Sequence, residues 1–118
     1  MKKLIKLIFA FVFISNSAFT EDLSVAWETE AAFKLPESVI YDQKNDLLYV
    51  SNIANHPFKK DGSGFISKVN MQGEIVELEW IKKLNAPKGL TIVPSKNPDE
   101  SDKLFIADVD FFNFSFEM

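Results

Sequence analysis

The chain has 118 residues, 13 Lys against 17 Asp plus Glu, a single His and no Cys. Export signal aside, it is long enough for one small domain at most. Its acidic balance and complete lack of Arg argue against nucleic-acid binding, which needs a basic surface and uses Arg for base and phosphate forks. Without Cys there can be no disulfide framework and no lipoprotein anchor, so stability must come from apolar burial, a bound ion or further chain.

Residues 1–18 read as a signal peptide. Lys2, Lys3 and Lys6 form a basic start, Leu7 to Ile14 an apolar middle, and Ser15 to Ala18 a small-residue cleavage region. Eight unbroken apolar residues fall well short of the ~20 that span a bilayer. Cleavage is expected near Ala18, with Ser17 and Thr20 as the alternatives; after Ala18 it would leave 118 less 18, or 100, residues, and removing three Lys shifts the net charge from −4 to −7. The expected location is exported, periplasmic or secreted, with no membrane association after cleavage.

Residues 19–35 form an N-terminal segment. Val25-Ala26-Trp27 suits a strand, and Glu28 to Lys34 has helix-favouring composition. Pro36 follows closely and the apolar positions lack a helical period, so strand plus loop is the preferred reading. Pro36 to Ile53 is a β-hairpin signature: Val39-Ile40-Tyr41 and Leu47-Leu48-Tyr49-Val50 flank the polar turn Asp42 to Asp46. A loop runs from Asn52 to Gly64, broken by Pro57, Gly62 and Gly64. Phe65 to Val69, a turn at Asn70 to Gly73, and Glu74 to Ile81 predict a second hairpin, with Gly73 at the position most in need of positive φ. Lys82 to Ala86 reads as a connector.

The first hairpin then returns. Pro87-Lys88-Gly89-Leu90-Thr91-Ile92-Val93 restates Pro36 to Asp42, and Leu104 to Val109 restates Leu48 to Ile53. Pro36 to Pro87 is 51 residues and Leu48 to Leu104 is 56, the second copy having a longer turn. Four short strands in a repeat of roughly 40–50 residues is the period of a β-propeller blade. The expected fold is therefore all-β, an incomplete β-propeller of about one and a half blades. One blade covers 36–86, the first hairpin of the next covers 87–110, and 111–118 is an aberrant tail. Propellers have roughly four to eight blades, so this is too few to close a ring. Four Phe within Phe111 to Phe116 would leave an apolar, pairable end. A truncated or frameshifted coding sequence explains that tail; packing as a terminal strand on the first blade is the other reading.

Among residues that could carry chemistry, Glu37 stands at the start of what would be a blade's innermost strand. There a carboxylate can ligate a hard cation or act as a base, though a solvated turn carboxylate is commoner. Asn52 and Asp108 end matching strands and either face a channel or cap a turn. Asp61-Gly62-Ser63-Gly64 has too few acids for a calcium loop and no Lys for a phosphate loop, leaving a Gly-containing turn. His56 alone makes neither a zinc site nor a triad. Trp27 and Trp80 suit packing better than ligand stacking.

Glu37-Ser38-Val39-Ile40-Tyr41-Asp42, a turn, then Leu47 to Ile53 resembles the first blade of the regucalcin/gluconolactonase (SMP-30-like) family. Asp61 to Lys68 and Leu84 to Leu90 resemble an exported bacterial branch of it. The resemblance covers about residues 34–110, and NHL-repeat propellers share the Pro-x-Gly-apolar opening. It implies a six-bladed, TolB-like propeller whose enzymatic members are lactone hydrolases with one divalent ion, usually calcium (Ca2+). Glu37 matches the first-blade metal ligand, while the remaining ligands belong to later blades. This implies an N-terminal fragment, inactive alone, whose full-length parent would act on a small-molecule lactone. The alternative is a non-catalytic, NHL-like exported binding module.

Overall fold

The computed structural model describes residues 23–109 and 111–118; the expected signal peptide, 1–18, lies outside them. The described chain is all-β. It holds seven strands in two antiparallel sheets: β1 (Pro36–Asp42), β2 (Leu47–Asn52), β3 (Gly64–Asn70) and β4 (Ile75–Leu84) in the first, β5 (Leu90–Val93), β6 (Lys103–Asp108) and β7 (Phe111–Glu117) in the second. Each sheet is a meander, every strand pairing with its chain neighbour.

The hairpin expected over 36–53 forms, as β1 and β2. Val39 pairs with Val50, Ile40 with Tyr49 and Tyr41 with Leu48. Because side chains alternate across a strand, Ile40 and Tyr49 share one face while Val39, Tyr41, Leu48 and Val50 share the other. The turn closes around Asp42, and Asp46 takes the positive φ (54°) that lets the chain reverse. Gly73 has φ of 84°, as its turn position requires.

Three features differ from the sequence expectation. Val25 to Trp27 is not a strand: Leu23 and Val25 are exposed, and the chain crosses the first sheet to lay the Trp27 ring over Gly73. Residues 25–27 join no ladder, although β4 is an edge strand; the Trp27 ring packs on the turn between β3 and β4 instead. Next, β4 runs through Lys82 to Leu84, leaving only Asn85 and Ala86 between it and Pro87. Three register shifts along the β3–β4 ladder break its two-residue alternation, as bulges do. Lastly, residues 111–117, read as an aberrant tail, pair with β6 as a third strand of the second sheet. The register is Leu104 to Phe116 and Ile106 to Phe114. Hairpin alternation ends at Asp108, but the far edge of β6 still carries unpaired N–H and C=O groups, and β7 satisfies them.

The two sheets pack face to face on one core. Tyr49, Ile66, Ile81 and Leu84 from the first meet Leu104 and Ile106 from the second, with Ile40, Trp80, Leu90, Ile92 and Phe116 around them. Trp80 stacks on Tyr49 at 5.0 Å between ring centroids, and the Lys68 ammonium sits 3.9 Å above the Trp80 ring. Lys44 Nζ reaches Asp102 Oδ1 across the two sheets at 3.6 Å. With Lys44 exposed, that pair contributes little beside the apolar seam.

Candidate functional site

Glu37 lies where β1 begins, and local geometry explains why it is exposed. The β1–β2 register slips between Pro36 and Ser38, which leaves Glu37 without a ladder partner. Buried Ser51 stitches the slip: its Oγ accepts from Ser38 N–H at 3.0 Å and donates to the Ser38 carbonyl at 3.4 Å. The Glu37 carboxylate accepts from Ser38 Oγ at 2.6 Å, beside a shallow concavity of about 160 Å3 lined by Pro36, Ser38, Val39 and Val50. One carboxylate cannot hold calcium, which takes six to eight oxygens. Among the described residues no group of three or more His, Cys, Asp or Glu gathers in a metal-binding arrangement.

Asn52 and Asp108 do the same structural work in the two sheets. Asn52 is fully buried. Its Oδ1 accepts from Lys34 N–H at 3.0 Å, and its Nδ2 donates to the Val50 carbonyl and to Ser67 Oγ. Asp108 accepts from Asn85 N–H at 2.7 Å, Ala86 N–H at 2.6 Å and Val109 N–H at 2.7 Å. Lys34 and Asn85 each stand two residues before the matching Pro36 and Pro87. The polar residue ending each second strand thus ties down the segment that leads into the first. Neither side chain is free to serve a ligand as placed.

The remaining candidates are local. Asp61 Oδ1 accepts from Ser63 N–H at 3.0 Å, an Asx turn. The Ser63 hydroxyl, then its N–H, hold that exposed carboxyl below the usual range. His56 Nδ1 accepts from Phe58 N–H at 3.2 Å and its ring meets Phe58 edge-on in an exposed loop. At the position matching Glu37 the second sheet has Lys88, whose Nζ lies 5.7 Å from the Phe58 ring centroid, so the repeat supplies no second carboxylate there.

The most enclosed acidic group among the described residues was not evident from sequence. Asp42 is 2 % exposed. It accepts from Lys44 N–H at 3.0 Å, Asn45 N–H at 3.2 Å, Asn45 Nδ2 at 2.7 Å and Tyr49 Oη at 3.2 Å. Burial pushes its carboxyl up, but these donors outweigh burial and hold it below its ordinary 3.8. Burial first, and then the Asp42 charge, push the Tyr49 phenol up to about 12. An Asp followed by Asn three positions on is the signal that could have revealed this turn. A cleft of about 370 Å3 opens beside it, between the sheets, lined by Tyr41, Lys44, Ile92 and Asp102.

Because the folded carboxyl is the stronger acid, Asp42 contributes stability above pH 3.8, and that contribution is lost as pH falls through its lower folded value. Urea midpoints measured between neutral pH and the acid limit should therefore fall more steeply for the wild type than for Asp42→Asn. Parallel curves would show that Asp42 carries no linked proton.

Among the described residues no helix is long and apolar enough to cross a membrane. Comparison of the chain with family models, with curated proteins and with solved structures found no match.

Proposed function

We propose that this chain supplies the first blades of an exported propeller of the regucalcin/gluconolactonase type. In that reading the parent is a calcium-dependent lactone hydrolase and the chain alone is inactive. The observation that carries the reading is the repeated tie, Lys34 N–H to Asn52 and Asn85 N–H to Asp108. It supports reading the two sheets as copies of one unit, as does the placing of the leading strands β1 and β5 side by side, the arrangement that inner strands of neighbouring blades would have. Glu37, turned out of the ladder by the bulge at the start of β1, is then available as one oxygen ligand to calcium. The other ligands, and any base acting on a lactone, belong to further blades.

Calcium titration by calorimetry of a ring-complete form, wild type against Glu37→Gln, tests this. Removing a ligand should weaken binding by at least about tenfold, the scale on which even outer-shell partners act. Equal affinities would sink the lactonase reading.

One observation favours a second reading, a non-catalytic NHL-like binding module. The loop after β2 presents Phe58 at 76 % exposure, with His56 and Lys88 beside its ring. Exposed aromatics of this kind anchor protein contacts. A ring-complete form that hydrolyses no lactone with calcium present, yet loses partner binding on Phe58→Ala, would favour this module.

A further inference from the structure

The loop after β2 carries an ordered tip. Ala54 N–H donates to the Lys34 carbonyl at 2.9 Å and Gly62 N–H to Asn85 Oδ1 at 3.2 Å, so the loop is tied to the chain entering each sheet. Asn55 Nδ2 donates to Asp61 Oδ2 at 3.4 Å across its neck. Beyond the neck, Lys59 N–H returns to the His56 carbonyl at 3.3 Å, which makes residues 56–59 a β-turn with Pro57 second and Phe58 third. Phe58 thus stands at the tip, exposed, with the His56 ring edge-on to it and its N–H bound by His56 Nδ1. An accepting Nδ1 puts the proton of the neutral imidazole on Nε2, which remains a donor.

The charge on this tip runs against that of the chain. His56 to Lys60 holds two Lys, both exposed, and no acid, whereas the whole chain carries −4. A third cation comes from the second sheet, where Lys88 Nζ lies 5.7 Å from the Phe58 ring centroid, within reach of a cation–π contact. Asp61, the acid next in the chain, is turned back onto Ser63 and Asn55. The result is one exposed aromatic ring flanked by ammonium groups from two separate parts of the fold.

We infer that this tip is the contact surface for an acidic segment of a partner protein. An apolar or aromatic side chain of the partner lies on the Phe58 ring, and carboxylates beside it pair with Lys59 and Lys88. The inference rests on the binding-module reading, whose contact residue Phe58 it shares, and adds the chemistry of the partner. Charge complementarity selects that partner. The net acidity and the lack of Arg set nucleic acid aside. An anionic bilayer would be held by a single ring against the repulsion of an acidic chain, whereas a short acidic segment meets only the local cations. Because the loop is already tied at both ends, little freedom is lost when the partner binds.

Selection of short random peptides, displayed on phage, against the purified chain tests it. The selected peptides should be rich in Asp and Glu beside an apolar or aromatic residue. For the strongest of them, synthesised and followed by fluorescence anisotropy, Phe58→Ala should weaken binding at least about thirtyfold, the loss that marks an interface hot spot. Replacing Lys59 and Lys88 together by Gln should slow association and flatten its salt dependence, while Phe58→Ala leaves that salt dependence in place. Glu-to-Gln versions of the peptide should bind the wild type as weakly as the acidic peptide binds the double Lys variant. Circular dichroism checks that the variants fold; should Phe58→Ala not fold, the Lys variant and the Gln peptides decide. Peptides that need Phe58 but carry no carboxylates overturn the inference and leave the binding module standing. Peptides that bind equally well without Phe58, or a selection that yields none, overturn both. Attachment to phosphatidylglycerol vesicles that Phe58→Ala abolishes also overturns the inference, since the tip would then be a membrane contact.

Discussion

Ile106→Ala should lower the stability of both sheets together, by about 2–5 kcal/mol, the range for removing a buried Ile or Leu side chain down to Ala. Ile106 is fully buried in β6, in the cluster that the two sheets share. Against a total of roughly 5–15 kcal/mol for a small domain, this is a large fraction. The clearest readout is in the other sheet. Trp80 lies in β4 and stacks on Tyr49, so its fluorescence reports on the first sheet. In a Trp27→Phe background, urea unfolding followed at Trp80 should show a lower midpoint with an unchanged slope. A Trp80 midpoint that does not move would mean that the sheets unfold independently and that the seam is not a common core.

Gly64→Ala is expected to destabilise the fold markedly. Gly64 opens β3 and is buried against the connection between the sheets. A Cβ there would collide with the Pro87 ring and press on the carbonyl oxygens of Leu84 and Asn85, 3.0 and 3.2 Å away. Pro87 is itself buried and its ring cannot rotate away, so the chain leading into β5 must shift. Overpacking of this kind costs about 1–3 kcal/mol. Gly89→Ala is the control, because a Cβ there meets nothing within 4 Å. Thermal unfolding should place Gly89→Ala within about 0.5 kcal/mol of the wild type, as for ordinary surface changes. Equal losses at the two positions would remove the packing explanation.

The repeat was legible because it is written in local chemistry. A proline, an apolar run, a polar turn, a second apolar run and a closing Asn or Asp recur in order, and each maps to an element of β1–β2 or β5–β6. The reason for the closing Asn or Asp was not legible. Asn52 bonds to Lys34, 18 residues away, and Asp108 to Asn85, 23 residues away, and no local pattern announces partners at that distance. Gly64 read only as a loop breaker for the same reason, since its constraint comes from Pro87. The strand expected at Val25 to Trp27 gave way to packing of the Trp27 ring on Gly73, 46 residues further along the chain, and no local pattern announces that contact. Glu37 could be named as a carboxylate at the start of a strand, but its outward turn comes from the register slip that Ser51 holds.

The sequence by itself determined the all-β class, the position of the first hairpin, the turn at Gly73 and the recurrence of one unit. Each follows from alternation and turn chemistry within a few residues. Only the tertiary structure decided which face of each sheet is core, that residues 111–117 pair with β6, and that Asp42 is buried. Those outcomes depend on which surfaces meet. The hairpin from Pro36 to Ile53 has apolar residues on both faces, Ile40 and Tyr49 on one, Val39, Leu48 and Val50 on the other. Its pattern is compatible with packing on either side, and burial against Leu104 and Ile106 chose the first.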